Sequence, residues 1–218
     1  MTDDDHARDP EERELAVQIV AALTRAAIRR GYVDPAGKTA DEVRLEASRI
    51  FLEHSDEDGG LEIVIDHTIV VLDQARAFRD GEKWDFAVVF YGIFFEHWCN
   101  AFLLDNEADE EVALRLIRQK SPMEKLRRVW WAAKDERLPA DLSAIAEQVY
   151  TLRNDFVHYK FRPQPDEISP ASTAEREKQT DRFRAIEHLI DRLFEVEDDY
   201  LFQGRAAEFG DRSGSTAE

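Results

Sequence analysis

The chain has 218 residues, of which 43% are hydrophobic and 35% charged, and its formal net charge is −18. This is enough apolar material for one good-sized domain plus an extension, which excludes a chain that stays unfolded along its length. The single cysteine, Cys99, excludes an internal disulfide framework and a Cys-rich zinc site, and so acidic a field argues against nonspecific binding of nucleic acid.

The first residues, MTDDDHARDPEERE, are acidic and polar. A signal peptide needs a positive start and an apolar centre, so residues 1 to about 12 read as a disordered acidic tail. Leu15, Ile19, Ala22, Leu23 and Ala26 recur at helical spacing up to Arg30, and Gly31 suits a C-terminal stop. Pro35 and Gly37 mark a loop. A helix is expected over 40–54, ending in Ser55-Asp56-Glu57-Asp58-Gly59-Gly60. Strand character over Leu61–Ile65 stays open, but the run IDHTIVVLDQARAF favours a helix to about Phe78 with Gly81 as its break.

Trp84 to Leu104 is the central element. Trp84, Val88, Tyr91, Phe95, Trp98 and Phe102 share one face while Val89 and Ile93 occupy another, and a helix apolar nearly all round is a buried one. The longest apolar run, Phe86 to Phe95, falls short of the ~20 residues that span a bilayer. The expectation is a cytoplasmic protein with no membrane partner. A further helix covers about 108–119. Ser121-Pro122-Met123-Glu124 then carries a cap, a first-turn proline and a capping-box glutamate, opening a helix to about Lys134. Another begins near Pro139. Residues 161–170, with three prolines, read as a loop, and Ser172–Thr173 opens a last helix to about Leu201.

The fold class is therefore all-α, an antiparallel helical bundle over 61–203. An acidic tail and helical extension precede it over 1–60, and a disordered tail follows over 204–218. Between Arg115 and Arg137 lie eight cations (Arg115, Arg118, Lys120, Lys125, Arg127, Arg128, Lys134, Arg137) against three acids (Glu124, Asp135, Glu136). This stretch is either a solvated helix face or a local patch that guides a polyanion. Trp130 and Trp131 pack in a core or stack on bases.

On the helix after Pro139, Ile145, Val149, Leu152, Phe156 and Tyr159 fall within about 80° of one another and form the expected core stripe. Arg153 flanks that stripe, and Val157, Asn154 and His158 point away from it, with Arg153 and His158 about 140° apart. Asn154 and His158 stack at i, i+4. Solvent alone does not call for Val157, so this second face suits a cleft or a contact with a second subunit. The plain alternative is a surface salt-bridge face near a helix end. On the central helix, Glu96 and Asn100 stand at i, i+4 and either line a site or form a buried hydrogen-bonded pair. His97 beside Cys99 reads as packing, because ligands at i, i+2 on a helix diverge.

The stretch Arg153-Asn154-Asp155-Phe156-Val157-His158 resembles the HEPN superfamily, whose motif is an Arg, four to six residues and a His, often with a polar residue directly after the Arg. The upstream pair VVLDQARAFRDGEKWDFAVVFYGIFFEHWCNAF is similar to the family's first two helices, including acidic Glu96 in the second, and the likeness covers roughly 62–200. One subgroup carries a tyrosine two residues after the His. Here that position is Lys160 and the tyrosine is Tyr159.

The resemblance implies a metal-independent endoribonuclease of toxin or antiviral type, acting as a homodimer with a composite site. Catalytic Arg153, His158 and Asn154 would be supported by Glu96 and Asn100, with Arg127, Arg128 and Lys160 on the RNA. No cofactor or metal is implied, and an antitoxin or regulatory protein is an expected partner. The chemistry is sound on its own terms. Cleavage by the RNA 2′-hydroxyl needs a base and an acid, which histidine can supply near neutral pH, and a cation for the phosphorane, for which arginine offers a fork of donors. One Arg–His pair is too few for both proton transfers, and two copies about a two-fold axis supply the rest. The competing readings are a catalytically silent dimer of the same fold that binds a nucleotide or a protein partner, and a helical adaptor.

Overall fold

A computed structural model describes residues 10–58, 67–107, 109–158 and 172–210. Among the described residues there are helices and no strand, so the chain is all-α. The strand question at 61–65, the loop over 161–170, Tyr159 and Lys160 lie outside the described residues. Two compact units result: Met1–Val64 with Asp198–Glu218, and Ile65–Glu197.

The first unit contains α1 (Pro10–Arg29) and α2 (Ala40–Asp58). Its core joins Ala27, Ile28, Val33, Val43 and Ala47 to Phe202 and Phe209. The sequence reading leaves 204–218 as a disordered tail, and here the structure corrects it for 204–210. A π-turn at Asp198–Phe202 leads to a 3-10 turn at Ala206–Phe209, and Phe209 is fully buried. One phenylalanine in a short polar segment has no periodicity to reveal it. What holds the segment is non-local: the Phe202 and Phe209 rings meet at 6.3 Å, the Arg25 guanidinium lies 5.2 Å over Phe202, and Arg25 donates to the Gly210 carbonyl.

The second unit contains α3 (Thr68–Asp80), α4 (Trp84–Asn106), α5 (Glu110–Gln119), α6 (Pro122–Lys134), α7 (Ala140–Val157) and α8 (Thr173–Glu197). Local chemistry sets several ends. The Asp109 carboxylate accepts the backbone N–H groups of Glu111 and Val112 to start α5. Ser121 and Glu124 close the capping box of α6, which with help from Lys120 brings the Glu124 carboxyl down to about 2. Gly81 ends α3 as expected. Helix α4 packs against α3, α5, α6 and α7, and Ala87, Tyr91, Phe94, Phe95 and Cys99 are wholly buried in it. Among the described residues α4 is the helix whose length and composition would let it cross a membrane, but 56% of its most apolar window lies inside the bundle.

Helix α7 is rotated from the expected stripe. Its buried residues are Leu142, Ala146, Val149 and Tyr150, while Ile145, Leu152 and Phe156 are only partly covered. On the helical wheel the centre of burial moves by about 85°. The helix touches α4, α6 and α8, so its broad apolar arc is shared among neighbours and the most regular stripe is not the deepest one. Phe95→Ala, which removes a fully buried ring, is expected to cost about 3–5 kcal/mol. Phe156→Ala should cost less than about half as much, because part of its ring already meets water. Urea unfolding followed by helical circular dichroism ranks the two.

One polar knot ties α3, α4 and α8. Glu187 accepts from Arg76 Nη2 at 2.7 Å, from Arg79 Nη1 at 2.7 Å and from the Tyr91 hydroxyl at 2.5 Å. Burial alone would push the Glu187 carboxyl up, but the hydrogen bonds of Arg76 and Tyr91 and the charges of Arg76 and Arg79 outweigh it and hold the group below its ordinary value. A lowered carboxylate stabilises the fold above its unfolded pKa and loses that contribution as pH falls through the folded one. Glu187→Gln should therefore destabilise by on the order of 1–2 kcal/mol near neutral pH after solvent screening. The gap from wild type should shrink in melts taken progressively below pH ~4.5, the ordinary carboxylate range.

Candidate functional site

Arg153 stands near the middle of the observed buried arc of α7, between the directions of Val149 and Tyr150. A charged side chain can stand there because α4 presents Gly92 to it. A Cβ at Gly92 would lie 3.1 Å from Arg153 Cγ, 3.3 Å from Arg153 Cβ and 3.7 Å from Val149 Cγ1. The arginine stem thus packs on bare backbone while its guanidinium reaches outward, leaving the side chain 29% exposed. Nη1 donates to Asn154 Oδ1 at 3.1 Å, and Nη2 stands 3.9 Å from Glu96 Oε2.

Glu96 is shared. Its other oxygen accepts from Lys125 Nζ at 3.3 Å, and the same ammonium donates to Asn100 Oδ1 at 3.0 Å. The structure thus brings Arg153, Asn154, Glu96 and Asn100 into one cluster. Glu96 and Asn100 each bond Lys125, and no hydrogen bond between the two is found among the described residues. Sequence reasoning missed Lys125 as a member, having counted it in the exposed basic stretch. It is 3% exposed. The available signal was its place one turn before Val129 and beside Leu126, at the edge of the apolar face of α6. Two further groups lie under the cluster. Burial pushes the Cys99 thiol up to about 12, with Lys125 opposing and Glu96 adding, so the thiol stays protonated and inert. Burial and the charge of Glu96 likewise raise Tyr150, with Arg153 opposing, and its hydroxyl has no hydrogen-bond partner among the described residues.

His158 is the C-cap of α7. Its backbone N–H donates to the carbonyls of Asn154 and Phe156, and its side chain is exposed. Among the described residues no hydrogen bond or ion pair joins its ring to Arg153, Asn154, Glu96 or Asn100. Beside it on the chain Val157 is 45% exposed, and Phe86, 48% exposed, meets Phe156 edge-on at 5.4 Å.

The remaining candidates are dispersed. Arg127 pairs with Glu147 at 2.6 Å and Arg128 with Glu107 at 2.9 Å, which spends much of their charge. Trp130 is a core residue and Trp131 is exposed. His97, expected to pack, is instead exposed, because its direction on α4 leaves the bundle. An open cleft of about 600 Å³ lies elsewhere, lined by Arg79, Trp84, Arg176, Phe183 and Glu187 among others. Its charges largely pair off, Arg79 with Glu187 and Arg176 with Glu82.

Comparison with known proteins gives no match to a family model, to a curated protein or to a solved structure.

The Gly92 contact is directly testable. Gly92→Ala should change stability by less than about 1 kcal/mol, since the helix-propensity gain of roughly that size offsets the crowding of Arg153. Gly92→Val adds branches against both Arg153 and Val149 and should cost about 1–3 kcal/mol. A Gly92→Val protein as stable as wild type in urea would mean that α4 and α7 are not closed at this point.

Proposed function

We propose that the chain is a metal-independent endoribonuclease of the HEPN kind that works as a two-fold dimer. The observation that carries this reading is an arginine set in an apolar helix face, held by Glu96 and Asn154 yet open to solvent, on the same helix as an exposed histidine at its end. An arginine meant only for packing would be replaced by an apolar side chain at no loss. One kept oriented and accessible is suited to a phosphate.

In the proposed reaction His158 of one copy takes the proton of the RNA 2′-hydroxyl. That oxygen attacks the adjacent phosphorus, and Arg153 stabilises the charge that develops on the phosphorane oxygens. His158 of the other copy gives a proton to the departing 5′-oxygen. The products are a 2′,3′-cyclic phosphate and a 5′-hydroxyl, and no outside reactant is consumed. The exposed apolar residues Val157 and Phe86 would lie in the interface between copies. An intracellular setting and an antitoxin or regulatory partner belong to the same reading. The second reading, a silent dimer that binds a nucleotide or protein, draws on the acid-paired Arg127 and Arg128 and on the net charge of −18.

A labelled-RNA assay with parallel melts separates the two readings. His158→Ala and Arg153→Ala should each lower cleavage by about 10²-fold or more, and Arg153→Lys should fail too because it lacks the planar fork. His158→Ala should melt within about 0.5 kcal/mol of wild type. Cleavage should persist in excess chelator and leave cyclic phosphate ends. A folded His158→Ala protein that cuts normally places the catalyst elsewhere and ends the role given to His158, one that melts early makes the motif structural and ends the nuclease reading, and a monomer in light scattering removes the composite site.

A further inference from the structure

We infer that Lys125 is a positioning residue for Arg153: by drawing the Glu96 carboxylate to itself, it leaves the Arg153 guanidinium oriented but not neutralised, and so able to take a phosphate of a polynucleotide. The inference rests on reading Arg153 as a phosphate-binding group.

The distances give the asymmetry. Glu96 lies 3.3 Å from the Lys125 ammonium and 3.9 Å from the Arg153 guanidinium. Asn100 secures Lys125 from the same helix at 3.0 Å. Two cations share one carboxylate, so the trio carries a net positive charge inside a strongly acidic molecule. Were Lys125 absent, Glu96 would have Arg153 as its one close cation, and the arginine fork would close on it.

Packing alone gives no reason for this lysine. It is 3% exposed, next to fully buried Leu126 and one turn from Val129. Burying an ammonium there is costly even when paired, and an apolar side chain of similar volume would pack at least as well.

The test uses the full chain and a labelled 2′-O-methyl oligoribonucleotide, which cannot be cut by 2′-oxygen attack, with binding read by fluorescence anisotropy and folding by thermal melts. Arg153→Ala should weaken binding by about tenfold, corresponding to about 1.4 kcal/mol. Lys125→Met should weaken it similarly. Glu96→Gln should tighten binding yet lower the melting temperature, because Lys125 loses its counter-charge. The double variant K125M/E96Q should recover both properties. The opposite movement of affinity and stability in Glu96→Gln is what a merely structural role would not produce. Binding that weakens in step with melting in Glu96→Gln, or a folded Lys125→Met protein that binds like wild type, overturns the inference. If Lys125→Met does not fold, Glu96→Gln and the double variant decide. Arg153-dependent binding without cleavage of ordinary RNA removes the ribonuclease reading and leaves the role of Lys125 standing. Binding that ignores Arg153 removes both.

Discussion

Helix α7 can approach α4 closely because Gly92 has no side chain. The stem of Arg153 fills that space, within 3.1 Å of where a Cβ would be. Closely packed interiors leave little latitude in such a contact. Together with the contacts of α7 to α6 and α8 it sets the rotation of α7, and the rotation decides which of its residues reach Glu96 and which face water. The candidate site thus rests on a small residue in the middle of the most apolar helix of its unit.

Charge organises what packing positions. The cations at the bundle surface are often matched by carboxylates, as at Arg127 and Glu147. The Glu96 cluster departs from this pattern, since one carboxylate there serves both a buried lysine and a half-buried arginine. The Glu187 knot instead matches its two arginines with two acids, Glu187 and Asp80, adds a tyrosine hydroxyl and holds both arginines at short range. The knot is balanced in charge and closely bonded, whereas the Glu96 carboxylate stands 3.9 Å from Arg153 and is shared with Lys125. That difference is why the functional reading attaches to Arg153 and not to the cleft beside Glu187.

Much of the architecture was legible without coordinates because it is written locally. The apolar circumference of Trp84–Asn106, the Ser121 capping box and the stop at Gly81 each depend on residues within a few positions of one another. The placement of Arg153, Asn154 and His158 on one helix is likewise a matter of spacing, and so is the i, i+4 placement of Glu96 and Asn100, whose shared partner Lys125 is not.

Tertiary structure decided the rest. The most regular stripe of α7 is not its deepest face, because α4, α6 and α8 compete for a helix apolar over a wide arc. Lys125 reads as one more surface cation until α4 places Glu96 and Asn100 over it. Phe209 looks like part of a tail until Phe202 and Arg25 enclose it. In each case the partner lies far away in the chain. Hydrophobic periodicity reports which residues of an element can be buried, and only the packed neighbours determine which of them are.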